Sequence, residues 1–283
     1  MANFINYTDE QINDLLVKIH AGVIAPENLP VDLYDAIGAK LMDGVFSGFG
    51  GGFSDFNIES PFFDLLAEYE VNIQVFSAAK TFQQVNSMSK FVFIDGQKTD
   101  FTTFKDIAGT IFETYNEAWL KTEHRTAVNN AFAGNQWLTV NQDAADLPLL
   151  RYQTVGDERV RPEHADLDNI VKPVNDSFWD RFFPPNGWNC RCIVEQLESG
   201  EAEVTPTTTK GKGKNKKYFD SKGNIIDRPP SIFDFNAGET KQIFKGTGSE
   251  MHPYFRVAER FKQKKRRNFD LPLRPKRVTL PKP

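Results

Sequence analysis

The sequence predicts an α+β protein: a mostly helical N-terminal region, a small loop-rich α+β module, and a basic, partly extended C-terminal region. Three observations carry this reading. Apolar residues recur at helical spacing through most of the first 145 residues. That period disappears over residues 146–200, where Pro, Gly, Trp, Arg and Asp become frequent. The charge is also split: residues 1–200 carry 14 Lys and Arg against 29 Asp and Glu, a balance of −15, while residues 201–283 carry 20 against 9, a balance of +11. The corresponding regions are 1–100, 101–200 and 201–283.

In the first region, Thr8 and Gln11 have the spacing of a capping box, with Ile12, Leu15, Leu16 and Ile19 following on one helical face. A second helix is predicted over Val31 to Val45, with Leu33, Ile37 and Leu41 inward. The run Ser47-Gly48-Phe49-Gly50-Gly51-Gly52 reads as a flexible connection; it lacks the Lys-Ser/Thr ending of a phosphate-binding loop. Ser60-Pro61 has the form of an N-cap followed by Pro at the first helical position, opening a helix to about Ser87 along Phe63, Leu66, Tyr69, Ile73 and Phe76. Phe91 to Ile94 is strand-like and ends at the turn Asp95-Gly96. One long helix is then expected over Phe104 to Phe132, with Ile107, Ile111, Tyr115, Trp119 and Val128 in the core.

In the second region, Leu149 to Thr154 and Cys190 to Leu197 read as strands separated by turns at Gly156-Asp157, Pro173 and Pro184-Pro185-Asn186-Gly187. Beyond it, residues 205–217 form a Lys- and Thr-rich low-complexity stretch expected to be a mobile loop. Ser231 to Phe244 is expected to fold back on the body, with a helix near Phe255 to Lys265 and an extended tail after Asp270.

Hydrophobic residues are 40% of the chain and charged residues 25%, so a sizeable core is expected, much of it aromatic given 25 Phe. The start lacks a secretory pattern and no apolar run reaches membrane-spanning length, which predicts a soluble protein made in a cytoplasm. The two cysteines, Cys190 and Cys192, are no disulfide framework and suit a reducing compartment.

The most specific signal lies between Arg151 and Leu197. It comprises Arg151-Tyr152-Gln153-Thr154, then Asp157 to His164, Asp166-Leu167-Asp168, and Asp176-Ser177-Phe178-Trp179. It closes on Pro184-Pro185-Asn186-Gly187-Trp188-Asn189-Cys190-Arg191-Cys192. With the preceding stretch Trp119 to His124, this block resembles the Mu-F-like phage head morphogenesis family over roughly residues 110–197. The resemblance implies a minor capsid protein of tailed bacteriophages. Its implied partners are the portal, the major capsid protein or both, together with packaged DNA, in several copies inside the head and without enzymatic activity. Some relatives carry fused toxin domains, and none is recognisable here.

Two groups of residues are candidate sites. In a strand, Cys190 and Cys192 would project from one face; with His164 and with Asp166 or Asp168 they offer S, N and O donors suited to a structural zinc. The alternative is a pair of small buried thiols beside a surface His. Trp179 and Trp188 are expected to pack with Pro184 and Pro185, and Arg159, Arg161, Asp157 and Asp166 to form ion pairs locking the loops. A hydrolase or toxin-like effector using His164, Cys190 and Cys192 is the competing functional reading, though no Gly-x-Ser-x-Gly elbow or paired acidic nuclease motif stands out. The second group is Arg260, Lys262, Lys264, Lys265, Arg266 and Arg267, a basic run suited either to phosphate contact without sequence preference or to an acidic protein surface.

Overall fold

The computed structural model describes residues 4–211, 216–247 and 250–258. The fold is α+β, and the chain divides into two compact units. Among the described residues, one unit comprises 4–44, 67–127, 246–247 and 250–258; the other comprises 45–66, 128–211 and 216–245.

The first unit is built mainly of helices: α1 (Asp9–His20), most of α2 (Val31–Phe49) and of α3 (Pro61–Ser89), α4 (Phe101–Glu113), and the start of α5 (Leu120–Gln142). The capping box forms: Thr8 N donates to Gln11 Oε1 at 2.8 Å and Gln11 N donates to Thr8 Oγ1 at 3.1 Å. Leu15, Leu16 and Ile19 are buried as their spacing requires, with Leu33, Ile37 and Leu41 of α2 and Tyr69, Ile73 and Phe76 of α3. Strands β1 (Phe93–Ile94) and β2 (Gln97–Lys98) form a two-residue hairpin. Its turn residues, Asp95 and Gly96, both sit at positive φ, 50° and 81°, as such turns demand.

The expected single helix over 104–132 is interrupted by a π-turn, Thr114–Trp119, between α4 and α5. One extra residue in a turn rotates everything after it by about 100°. Trp119, expected in the core, is therefore 44% exposed, while Leu120 is fully buried. Tyr115 is buried as expected, whereas Ile107, Ile111 and Val128 are only half-buried. Inside this unit Lys80 Nζ lies 2.8 Å from Glu123 Oε2, both side chains nearly inaccessible. Tyr254 Oη donates to Glu123 Oε1 at 2.9 Å, fastening the segment 250–258 to the helices.

The second unit holds the loop-rich module. Its central sheet has the order β4-β3-β5, all antiparallel, from β3 (Leu149–Gln153), β4 (Val171–Pro173) and β5 (Ile193–Leu197). The short helices α6 (Pro162–Ala165) and α7 (Trp179–Phe182) lie in its connections. The core gathers Trp137 and Val140 from α5, Leu150 and Tyr152 from β3, Phe178, Trp179, Phe182 and Phe183, and Val194 from β5. Trp179 is fully buried, and Pro184 and Pro185 are buried, as expected; Trp188 is half-buried and stacks edge-on against Phe233 at 4.9 Å.

Two expectations change in this unit. The glycine run is not a flexible connection at its start: α2 continues through Gly48 to Phe49, and a Cβ on Gly48 would lie 2.0 Å from the Val128 carbonyl oxygen. Gly48 is there because two backbones approach closely. The stretch 205–217, expected to be mobile, contains β6 (Thr208–Lys210), paired with β7 (Lys217–Phe219), which in turn pairs with β8 (Ile225–Ile226). Thr205 N donates to Val171 O at 3.0 Å, and Lys172 Nζ donates to Thr205 O and to Thr207 Oγ1, each at 2.7 Å. Residues after 200 also complete the core, through Tyr218 and Ile226. Buried Asp234 accepts from Arg181 at 2.7 Å and Arg228 at 2.6 Å, and α8 (Ala237–Thr240) brings Glu239 to Trp137 Nε1 at 3.3 Å.

Two predictions follow from the packing. Gly48→Ala should cost about 3 kcal/mol in denaturant unfolding, because the clash is with backbone and only a shift of the helices relieves it. Gly109→Ala, in α4 with open space at its Cβ, should instead stabilise by up to about 1 kcal/mol. The second concerns His252, which is buried against Phe76 and Tyr254. Burial first, then the charges of Lys80 and Arg256, push its pKa from 6.5 down to about 3. Between those values the unfolded chain binds the extra proton and the folded chain does not, so its contribution is complete above pH 6.5 and is lost as pH falls towards 3. Unfolding followed by circular dichroism across that range should show a His252→Phe variant losing less stability on acidification than the parent.

Candidate metal centre

The site is assembled where two connections of the second unit meet, β3 to β4 and β4 to β5. Arg161 and Pro162 open the single-turn helix α6, and its third residue, His164, is buried. Asp168 anchors the return by accepting from Thr154 N at 2.7 Å and Thr154 Oγ1 at 2.9 Å, and Asn169 turns the chain at φ 61°. On the other side, Gly187 and Asn189 bend the chain before β5, Asn189 at φ 54°. Cys190 to Cys192 is therefore not strand, as the sequence suggested; β5 begins at Ile193. The two sulfurs converge nonetheless. Cys190 Sγ lies 3.6 Å and Cys192 Sγ 3.4 Å from the same atom, His164 Nδ1, and the three ligand atoms lie within 4.8 Å of one another.

The surroundings hold this triangle in place. Asn129 Nδ2 donates to Cys190 O at 3.1 Å. Tyr152 Oη donates to Asn186 Oδ1 at 2.9 Å, and Asn186 Nδ2 donates to Arg181 O and Phe183 O at 3.3 and 3.4 Å. Arg161 Nη1 donates to Trp188 O at 3.1 Å, while its Nε and Nη2 lie 3.4 and 3.3 Å from His164 Nε2. Gly187 makes room for this guanidinium: a Cβ there would lie 2.6 Å from Arg161 Nη2. The Cys192 thiol beside it and the His164 ring lower the Cys190 pKa, against its burial; the Cys192 pKa is raised by the neighbouring Cys190 and by burial.

Of the residues expected at the site, the structure brings together His164, Cys190 and Cys192. Asp166 is exposed and stands outside the group, and Asp168 is engaged with Thr154. The expected ion-pair network is also redrawn. Asp157 pairs with Arg159 at 3.1 Å, but its main partner is Arg191, through two bonds of 2.7 Å; Arg161 lies 3.6 Å from Glu163, and Asp166 takes no part in these pairs. Arg191, then Arg159, hold the Asp157 carboxyl below the usual carboxylate range. Arg191 was identifiable only as part of the Cys-Arg-Cys run, because nothing in that spacing shows which way a loop Arg turns. The basic run Arg260, Lys262, Lys264, Lys265, Arg266 and Arg267 lies outside the described residues.

A divalent ion fits the triangle. Zinc bound at about 2.3 Å to sulfur and 2.0–2.1 Å to nitrogen in a tetrahedron sets S···N edges of about 3.6 Å, close to the two distances found. A single imidazole nitrogen has one lone pair or one proton, so it serves two sulfurs poorly as a hydrogen-bond partner and well as a co-ligand. The neighbour of Nε2 is less usual, being Arg161 where a ligating His ordinarily donates to an acceptor. Ligation through Nδ1 leaves the proton on Nε2 and requires Arg161, whose side chain is 40% exposed, to turn aside.

Fold and site together define a small α+β module, packed on aromatic residues and carrying a His–Cys–Cys group at one edge. Residues 96–195 match the family described as Phage Mu protein F like protein. Over 80 residues the chain is 39% identical to the putative capsid assembly protein F of Escherichia phage Mu, covering 28% of this chain and 18% of that protein. Over 93 residues it is 31% identical to the Mu-like prophage FluMu F protein of Haemophilus influenzae, covering 33% and 22%. The chain thus spans about a fifth of the length of these curated relatives. No solved structure matches it. Among the described residues no helix is long and apolar enough to cross a membrane.

Tyr152→Phe should lower unfolding stability by about 1–2 kcal/mol, because it leaves buried Asn186 Oδ1 without its donor. A loss under about 0.3 kcal/mol would show that this bond does not brace the turn.

Proposed function

We propose that this protein is a minor capsid protein of a tailed-phage head, a non-enzymatic morphogenesis factor acting inside the capsid beside the portal. The match of residues 96–195 to the Mu-F-like family, with one relative named a putative capsid assembly protein, carries the reading. The chemistry of the centre supports a structural role. Cys190 and His164 are buried, one His164 nitrogen faces the two sulfurs and the other faces Arg161, Asp157 is held by Arg191 and Arg159, and Glu163 faces Arg161. A metal-dependent hydrolase, the second reading, has in its favour only the solvent-facing pocket beside the centre.

In this account zinc joins α6 to the turn before β5, replacing hydrophobic area that so loop-rich a segment lacks. The basic run from Arg260 to Arg267 contacts packaged DNA through phosphates without reading sequence. Several copies sit on the portal or the inner shell.

Purified phage heads should contain the chain in several copies by quantitative mass spectrometry, and its deletion should reduce filled heads. Its absence from both precursor and mature heads would overturn the proposal. Exchanging the six basic residues for Gln should weaken DNA binding at about 0.1 M salt by tenfold or more and flatten its salt dependence.

A further inference from the structure

The triangle offers three ligands, and a tetrahedral ion needs four. Among the described residues no further His, Cys, Asp or Glu joins the group. The neighbouring carboxylates are occupied or turned away: Asp168 holds Thr154, Asp157 holds Arg191 and Arg159, Glu163 faces Arg161, and Asp166 is exposed. The fourth side is open. A shallow, solvent-open pocket lies against His164, Cys190 and Cys192, and its other walls are Val155, Val160, Asn189, Arg159, Arg161 and Arg191.

The charges around this opening are unbalanced. Two thiolates neutralise a divalent ion and leave the imidazole neutral. The guanidinium groups of Arg159, Arg161 and Arg191 line the opening, and among the described residues no carboxylate does, so the opening suits a negative charge. Arginine forks suit carboxylate oxygens, and carboxylate oxygen is a common zinc ligand. Arg161, once turned from a metal-bound His164, remains at this opening.

We propose that the fourth position of the His164–Cys190–Cys192 centre is filled by an Asp or Glu carboxylate of a partner polypeptide, guided in by Arg161 and Arg191. This rests on the metal reading given above. The ion then serves two ends: it ties the module together, and it forms a coordination bond to a neighbour in the head. An acidic side chain on the contacting loop is what the partner must supply.

The test is cobalt substitution of the full chain, with acetate standing for the partner's carboxylate. Co²⁺ should bind one per chain and show thiolate charge-transfer absorption that is lost in Cys190→Ser. Acetate should then change the visible bands saturably, and Arg161→Gln and Arg191→Gln should each weaken that response about tenfold or more. Failure of Co²⁺ to show thiolate bands would sink the metal reading and this proposal with it. Bound Co²⁺ whose spectrum is indifferent to acetate would leave the metal reading standing and overturn only the fourth-ligand proposal. A response to inorganic phosphate and not to acetate would also overturn it, pointing to a nucleic-acid ligand.

Discussion

Two sulfurs from one short loop meet a single imidazole nitrogen, and much of the local architecture exists to make that meeting possible. The loop carrying Cys190 must reverse within a few residues, which places Asn189 at positive φ and leaves Gly187 without a side chain where Arg161 lies across it. His164 must arrive from the opposite connection on a helix of one turn, which Asp168 and Asn169 return to the sheet. None of these short pieces is stable alone, since a single turn of helix gains little from its own hydrogen bonds. Their order comes from what surrounds them: Asn129 on the Cys190 carbonyl, Asn186 beneath Tyr152, and in the proposed account the ion itself.

The aromatic core explains why the module can carry so much irregular chain. Trp179, Phe178, Phe182 and Phe183 follow one another within six residues and are all fully buried or nearly so. Such side chains remove large apolar areas from water per residue, so a short helix and its flanks can anchor long loops. The core extends past the segment matched by the family model, which ends at residue 195. Tyr218 and Ile226 close one side of it, and Asp234 ties the later chain to Arg181 through a buried ion pair. A fragment cut at residue 195 would expose that side, so the physical module is longer than the matched one.

Much of this was legible in the sequence, where local chemistry decides structure. Thr8 with Gln11, Ser60-Pro61 and Asp95-Gly96 each specify a cap or a turn within a few residues, and each forms. The failures lie where distant chain decides. Trp119 has helical spacing, but a π-turn just before it turns the ring outward. Gly48 lies in a run that reads as a linker, yet its absent Cβ is required by Val128, eighty residues on. Thr208 to Lys210 has the composition of a mobile loop, and it becomes a strand because Lys217 to Phe219 offers it a partner. At the site, the candidate donors were readable from Cys-x-Cys and a nearby His, whereas the position of Asp166 outside their group was not. Spacing brings a carboxylate near, but only the return at Asn169 decides which way it faces.

The claim on which the account turns is that His164, Cys190 and Cys192 share one ion, and X-ray absorption at the zinc edge of the purified full-length chain addresses it most directly. The account predicts one zinc per chain whose nearest shell contains two sulfurs at about 2.3 Å and nitrogen or oxygen at about 2.0–2.2 Å. A shell of nitrogen and oxygen alone, or protein that folds fully and holds no zinc, would contradict it.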